Sequence, residues 1–241
     1  MTQKVFLTGG RGRLGTELKL AFNHVFAPSS TQLDTRNFDQ TLTALQNEKP
    51  DLIVHTAAYT NVAQAETERS ACWHTNVQGT ENLVKVANIL DIKLIHISTD
   101  YVFWGDRGMY KEEDTPGPTR NYYALTKLVA ESVARLANKH LIIRTSFRPR
   151  EWPYPSAFED VYTSQDYVDI IAPDIILAVK AHEQIPFTTL HIATERKSVY
   201  ELAKRRKPEV QKGSKQNVTV SLPDDISLDV SRWQRLKESL G

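Results

Sequence analysis

The stretch Lys4-Val5-Phe6-Leu7-Thr8-Gly9-Gly10-Arg11-Gly12-Arg13-Leu14-Gly15 decides the fold. A short apolar run of buried-strand character enters a glycine-rich turn, and Leu14, Leu18 and Ala21 then recur at helical spacing. This pattern predicts a strand over 4–8 and a helix over 14–22. The glycines at 9, 12 and 15 have separate physical uses. Gly9 permits a tight turn, Gly12 lets the backbone approach a pyrophosphate, and Gly15 lets the helix pack closely. The free N–H groups and dipole at the helix start favour an anion. A glycine-rich turn also serves as a plain strand–turn–helix connection, so it does not establish a phosphate site alone. Its place directly after a buried strand favours one.

Working outward, the same alternation repeats. Short apolar runs at 25–27, 52–55, 94–97 and 141–143 predict strands, and patterns over 38–48, 77–90 and 122–138 predict helices. Strands that read as continuous apolar runs between helices imply a parallel sheet covered on both faces, hence an α/β doubly wound fold. The character changes after Arg144. Residues 147 to 165 are rich in Pro, aromatic and charged residues and read as loop. A helix over 166–180 is broken or kinked by Pro173. A strand over 189–192 follows, then a helix over 198–206 capped by Ser198 with Glu201 three residues on, and a last helix from Ser231 to Leu240. The expected division is a dinucleotide-binding domain over 1–147 and a shortened substrate-binding region over 148–241, interleaved with the last sheet elements.

With 241 residues the chain suits one α/β domain with a modest extension. Thirty Lys and Arg balance 29 Asp and Glu, which gives no whole-chain argument for nucleic acid or a membrane surface. No apolar run approaches the roughly 18 residues of a membrane span. Met1-Thr2-Gln3-Lys4 enters the first strand at once and leaves no room for a signal peptide. Cys72 is the only cysteine, so nothing requires an oxidising compartment. The expected location is cytoplasmic.

Tyr123 and Lys127 form a YxxxK, which a helix places on one face. An ammonium beside the phenol would lower its pKa from about 10 toward neutrality. A phenol so tuned gives or takes a proton while hydride moves. Tyr122 does not compete, since Thr126 stands four residues on. Thr99, in Ser98-Thr99-Asp100-Tyr101-Val102-Phe103, ends the fourth strand, at the sheet edge where open α/β proteins bind ligands. Its hydroxyl can bond a substrate carbonyl beside Tyr123. YxxxK pairs are common on exposed helices and strand-end hydroxyls commonly bond backbone. It is the three elements in this order that point to chemistry.

With these residues in hand, the GxxGxxG spacing is that of the short-chain dehydrogenase/reductase superfamily, and the chain resembles its extended members, most of all the dTDP-4-dehydrorhamnose reductases. The matching pieces are Thr8 to Gly15, Leu33-Asp34-Thr35, His55 to Val62, Asn76-Val77, Ser98 to Phe103, Asn121 to Lys127 and Arg144-Thr145-Ser146. The resemblance covers residues 4 to 147 well and is weaker beyond. It implies a Rossmann-type doubly wound parallel sheet with a small C-terminal substrate-binding extension. It also implies NAD(P)H-dependent reduction of the 4-keto group of a nucleotide-linked deoxysugar, with Thr99, Tyr123 and Lys127 as the catalytic set. Within the cofactor-binding turn of Gly9, Arg11, Gly12, Arg13, Leu14 and Gly15, it is Gly12, Arg13 and Leu14 that would present backbone to the pyrophosphate, and Asp34 and Thr35 would lie beside the adenine. Ala57, Ala58, Tyr59 and Thr60 would lie beside the ribose and nicotinamide. Val62, Asp100 and Tyr101 would face the sugar. The related sugar-nucleotide dehydratases carry Asp-Glu after the Thr; Tyr101 replaces that Glu, which favours reduction over water elimination. Rival readings are an epimerase of the same fold and a non-catalytic regulatory subunit resembling the β subunit of methionine adenosyltransferase. A nucleotide sugar is the implied partner, and a homodimer is left open.

The second strand ends Ala27-Pro28-Ser29-Ser30 with no acid at the place where NAD-preferring sites carry one. Arg11, with Ser29 and Ser30, can instead serve a 2′-phosphate. The expected cofactor is NADP, with NADPH preferred and NAD still accepted. Arg148 and Arg150 lie just past the fifth strand, and one of them is expected to contact a substrate diphosphate, although surface arginines in a polar loop are equally ordinary. The seven histidines have no metal-ligand spacing and no metal is expected. Lys204-Arg205-Arg206-Lys207 reads as a solvated helix end, and Trp73 and Trp233 are expected to pack.

Overall fold

The structure is a computed structural model that describes residues 3–217 and 222–240. Met1 and Thr2, part of the argument against a leader, lie outside the described residues. In chain order the first half comprises strand β1 (Lys4–Thr8), helix α1 (Arg13–Ala21), β2 (His24–Phe26), α2 (Phe38–Glu48), β3 (Leu52–His55), the short helices α3 (Val62–Ala65) and α4 (Arg69–Trp73), a π-helical turn His74–Gln78, and α5 (Gly79–Leu90). Then come β4 (Lys93–Thr99), a 3₁₀ turn Asp100–Val102, α6 (Tyr122–Ala134), β5 (His140–Thr145), α7 (Val168–Lys180), a strand Thr189–His191, α8 (Val199–Lys204) and α9 (Ser231–Leu240).

The strands form one parallel sheet of six in the order β2-β1-β3-β4-β5, with Thr189–His191 beyond β5. Successive strand residues face opposite sides. Val5, Leu7, Val54, Ile95 and Ile97 meet Leu18 of α1, Ile171 and Ile175 of α7, and Trp233 of α9. Phe6, Ile53 and Leu94 meet Leu45 of α2, Leu83 and Val86 of α5, and Ala134 of α6. The sheet is therefore covered on both faces, as the apolar runs require. Because β1 lies between β2 and β3, the crossovers diverge at its carboxyl end and open a crevice there.

Several local expectations change. Residues 147–165 are not wholly irregular: the short strands Phe147–Arg148, Ser156–Phe158 and Tyr162–Thr163 lie within them. Asp166–Tyr167 is a strand, and α7 starts after it and runs unbroken through Pro173. Pro173 lies near the helix start, where few intrahelical bonds precede it, and the buried Ile171, Ala172, Ile175, Ala178 and Val179 hold the helix in place. Ser198 makes the expected capping box with Glu201. Trp233 is buried, whereas Trp73 is 37% exposed. Arg205 and Arg206, in the basic run, are spent on Asp166 and Asp169. No helix of the described residues is long and apolar enough to cross a membrane.

Candidate active site

The glycine turn forms the floor of the crevice. Gly9 has φ +73°, and a Cβ there would meet Thr56 Oγ1 at 2.6 Å and Ala57 N at 2.7 Å. A Cβ on Gly15 would come within 2.1 Å of Gly9 O, so the third glycine packs the helix against the turn itself. Gly12 caps α1 with no side chain in the way, and Gly12 N bonds Gly9 O at 2.8 Å. Arg11 and Arg13 are exposed and make no hydrogen bond or ion pair among the described residues, whereas Leu14 is buried in the core. The crevice holds about 330 Å³ between this turn, the Pro28–Ser30 segment, Asp34–Arg36 and Ala57.

On its far wall Asp34 is gripped by Arg36, with Nε at 2.8 Å from Oδ1 and Nη2 at 2.7 Å from Oδ2. The guanidinium holds this carboxyl below its ordinary range. Arg36 was not singled out from the sequence, and its place two residues after an acid in the adenine-side segment is the only signal. Ser29 is buried, its hydroxyl 2.9 Å from both Thr31 Oγ1 and Gln32 Oε1, while Ser30 is exposed. Thr35 is half-buried, and Asn82 of α5 bonds its carbonyl at 2.9 Å.

Asn76 shapes the next wall. Its Oδ1 accepts from Tyr59 N at 2.7 Å, and its Nδ2 donates to Tyr59 O at 3.2 Å and Thr126 Oγ1 at 2.9 Å. One side chain in the π-helical turn thereby ties the Ala57-Ala58-Tyr59-Thr60 loop to α6. The sequence marked Asn76 only as a helix start; a buried amide on an otherwise apolar helix face is the signal that was available. His55, wholly buried, bridges Thr8 Oγ1 at 2.7 Å and Thr80 Oγ1 at 3.0 Å, and desolvation, then the Lys127 charge, lowers it to about 3. It is a neutral strut between β1, β3 and α5.

Helix α6 carries the catalytic candidates. Asn121 caps it by accepting from Ala124 N at 2.8 Å. Tyr123, Lys127 and Glu131 then repeat at one-turn spacing and are all buried. Lys127 Nζ donates to Ile97 O of β4 at 2.7 Å, and burial lowers the ammonium to about 8. Glu131 forms a buried pair with Arg144 of β5 (Nη2–Oε1 2.7 Å, Nε–Oε2 3.0 Å) and accepts from Ser98 at 2.8 Å. Burial pushes the carboxyl up, but the bonds and charge of Arg144, with the bonds from Ser98 and Arg135, together hold it below its ordinary value. This pair braces the ends of β4 and β5, which carry Thr99 and Ser146.

The geometry brings Thr99, Tyr123 and Lys127 together. The Thr99 hydroxyl donates to Asp100 Oδ1 at 2.9 Å and lies beside the Tyr123 phenol, whose pKa it acts to lower. The expected lowering of the Tyr123 pKa is overturned. Burial comes first, then the Asp100 charge and Tyr101, and together they push the phenol well above its ordinary value. Lys127 donates to the Ile97 carbonyl and is not among the groups that act on the phenol. Asp100 is buried and raised to about 6 by desolvation, against hydrogen bonds from Thr99, Ser146 and Tyr101 N and the charge of Arg148. Val62 and Tyr101 pack around Tyr123, the Tyr101 ring edge-on at 6.2 Å. Arg148 stacks over Trp152 at 5.3 Å with a buried Nε that has no partner. Arg150 instead pairs with Glu17 of α1 and is carried away from Asp100.

The family model for the RmlD substrate binding domain matches residues 3–152. A dTDP-4-dehydrorhamnose reductase of Aggregatibacter actinomycetemcomitans is 36% identical over 151 residues, covering 60% of this chain and 51% of its own. One from Escherichia coli K12 is 36% identical over 152 residues, covering 59% and 50%. The chain thus spans about half the length of the curated relatives it matches. Among solved structures, the dTDP-4-dehydrorhamnose reductase of Bacillus anthracis in complex with NADP superposes with TM-score 0.86 at 29% identity, over 98% of this chain and 93% of that one. A hypothetical reductase of that name from Sulfolobus tokodaii gives 0.85 at 31% identity, over 97% and 94%. The match over residues 3–152 takes in the glycine turn, the Asn76 tie and the Thr99–Tyr123–Lys127 set alike, and the chain belongs to the RmlD substrate-binding domain family.

Proposed function

We propose that this protein is an NADPH-dependent reductase of the 4-keto group of a nucleotide-linked 6-deoxysugar. The observation that carries the reading is the clustering of the buried Thr99, Tyr123 and Lys127 at the end of β4, beside a glycine-floored crevice that fits a dinucleotide. The fit rests on Gly9 and Gly12, where a side chain would obstruct the turn or the pyrophosphate, and on the open N-terminus of α1. Gly9, Gly12, Arg13, Leu14 and Gly15 would hold the phosphates, Asp34 and Thr35 the adenine side, and Ala57 to Thr60 the ribose and nicotinamide. A bound nicotinamide supplies hydride to the sugar carbonyl carbon. Tyr123 supplies the proton: a phenol held above its ordinary pKa is fully protonated near neutrality, the state a donor needs. Thr99 orients the carbonyl oxygen toward it. Lys127, charged below about pH 8, fixes the spacing between α6 and β4.

NADPH is favoured because the one carboxylate on the adenine side, Asp34, is already neutralised by Arg36 and cannot repel a 2′-phosphate, while Arg11 stands unpaired at the turn. The NADP-bound Bacillus anthracis relative supports this choice. With Tyr101 in place of a second acid, the site has no carboxylate partner to Asp100 for water elimination, which supports reduction over dehydration. Residues 1–147 would hold the dinucleotide and 148–241 the sugar, with Val62, Asp100 and Tyr101 around the reacting carbon and Arg148 near the diphosphate. A cytoplasmic location and a homodimer remain part of this reading.

The test is NADPH consumption with a dTDP-linked 4-keto-6-deoxyhexose, with the product's configuration read by NMR. Tyr123→Phe should bind NADPH as wild type and lose about 10²- to 10⁴-fold in turnover. Cofactor binding without consumption on any such sugar refutes the reductase and leaves the regulatory subunit; near-wild-type turnover in the variant removes Tyr123 from the chemistry.

A further inference from the structure

We infer that Arg36, held flat by Asp34, is the platform on which the adenine of the dinucleotide stacks, and that the site takes the purine by its face and leaves its edge unread. The inference rests on the dinucleotide crevice of the reductase reading and adds to it a contact residue and a base preference.

The segment that carries Arg36 is anchored at both ends. Leu33 is buried with Phe6 and Leu45, and its amide donates to Ser29 O at 2.9 Å. Asn37 caps α2, and its amide donates to Asp34 O at 2.9 Å. Within this turn Asp34 holds both the backbone and the side chain of Arg36. Its Oδ1 accepts from Arg36 N at 3.0 Å and from Nε at 2.8 Å, and its Oδ2 accepts from Nη2 at 2.7 Å. A bidentate carboxylate fixes the plane of a guanidinium as well as its position. The Arg36 side chain is still 50% exposed and lines the crevice with Pro28, Leu33 and Thr35. An arginine at a surface ordinarily loses rotamer freedom when a ligand settles on it. Here Asp34 has removed that freedom before any ligand arrives, which favours binding.

Two observations point to the face of the base. The Nε–Nη2 side of the guanidinium, a fork that suits phosphate, is already taken by Asp34. The flat surface that remains is weakly hydrated and suits a π system. In addition, the acceptors that an adenine amino group would need on this wall already accept hydrogen bonds from the protein. Both Asp34 oxygens accept from Arg36, Thr35 O accepts from Asn82 Nδ2 at 2.9 Å, and Gln32 Oε1 accepts from Ser29 N and Oγ, each at 2.9 Å. A base held by stacking is held through a surface that every purine has. Hypoxanthine, with a carbonyl where adenine has its amino group, should therefore bind almost as well.

The test is calorimetric titration of the full chain, without sugar, using NADPH, NADH and the hypoxanthine analogue of NADPH. NADPH and its analogue carry the same phosphates, so charge effects cancel in their ratio. Wild type should bind the two with affinities that differ by less than about fivefold, the least that a hydrogen bond to the amino group would add. Arg36→Lys keeps a cation that can pair with Asp34 but has no plane to offer. In this variant the affinities for all three dinucleotides should fall together, by about fivefold or more, with the NADPH-to-NADH ratio unchanged. A wild type that rejects the hypoxanthine analogue by more than that factor reads the edge of the base, and the platform is overturned. It is overturned as well if Arg36→Lys binds all three as wild type does, which would leave Arg36 only a neutralising charge, or if the variant weakens NADPH alone, which would assign the guanidinium to the 2′-phosphate. A wild type that binds no dinucleotide brings down the reductase reading and the platform together, whereas a working reductase with any of the three contrary results brings down the platform alone.

Discussion

Replacing Asp100 by Asn should change how folding stability depends on pH, in a direction the structure specifies. Burial raises this carboxyl from 3.8 to about 6. A difference of about two decades in proton affinity corresponds to roughly 3 kcal/mol, at about 1.36 kcal/mol per decade. The sign follows from which state binds the proton more tightly. Below about pH 4 the group is protonated both folded and unfolded, and it costs nothing. Between the two values the folded state holds a proton that the unfolded chain has released. Above about pH 6 the folded protein carries a buried charge, and the full cost is present. Wild type therefore loses stability from this group as pH rises through that window, and Asp100→Asn does not. Asp34, Asp114 and Glu131 are held below their ordinary values and act in the opposite sense, but they are present in both proteins and cancel in the difference. Denaturant unfolding of both proteins near pH 4 and near pH 8 gives that difference directly. The variant should gain on wild type by about 3 kcal/mol between the two conditions. A constant offset from the altered hydrogen bonds is immaterial, since only the change with pH is read. A difference that does not move with pH, or moves the other way, refutes the argument that Asp100 is buried beyond what its hydrogen bonds compensate.

Glu131→Gln should destabilise the fold by about 3–5 kcal/mol in denaturant unfolding, because the Arg144 guanidinium is left buried without its counter-charge; a loss under about 1 kcal/mol would show that the pair is not essential there. Gly15→Ala should cost roughly 1–3 kcal/mol and weaken dinucleotide binding, since the new Cβ would lie 2.1 Å from Gly9 O and the turn must shift; calorimetric titration with NADPH checks the second effect. Arg11→Ala should weaken NADPH more than NADH, and Arg36→Ala should do the same by freeing the Asp34 carboxylate. The ratio of kcat/KM for the two cofactors is the measurement, and a wild-type ratio favouring NADH would sink the assignment.

The fold was legible where local signals agree. Helix α2 runs over 38–48 as read, with Asn37 capping one end and Lys49 in a left-handed conformation at the other. The π-helical turn at 74–78 was not legible, because an i→i+5 bond leaves no period in the sequence, and only its end, from Val77, falls in the stretch that reads as helix. Within the site, Tyr123 and Lys127 were visible because their spacing is local. The state of Tyr123 was not, since it depends on burial and on Asp100, neither of which the YxxxK spacing reports. Asp100, Ser146 and Arg148 come from two strand ends, and only the register of β4 against β5 brings them together. Arg144 carried a hint: a charge inside the run Leu141-Ile142-Ile143-Arg144 needs a buried partner, which Glu131 supplies.

The way the two faces of the sheet are covered bears on how this protein can be cut and recombined. Valines and leucines of β1 and β3 are sealed by α7 and α9, which come from the last third of the chain, so a fragment ending at residue 147 would expose them to water. The segment proposed to choose the sugar is thus threaded through the scaffold that holds the dinucleotide. A graft meant to change sugar preference has to leave α7, the Thr189–His191 strand and α9 in place and exchange only what lies between them: the 147–165 stretch and the segments around α8. Exchanging the whole tail would replace half of one wall of the scaffold along with the specificity it was meant to alter.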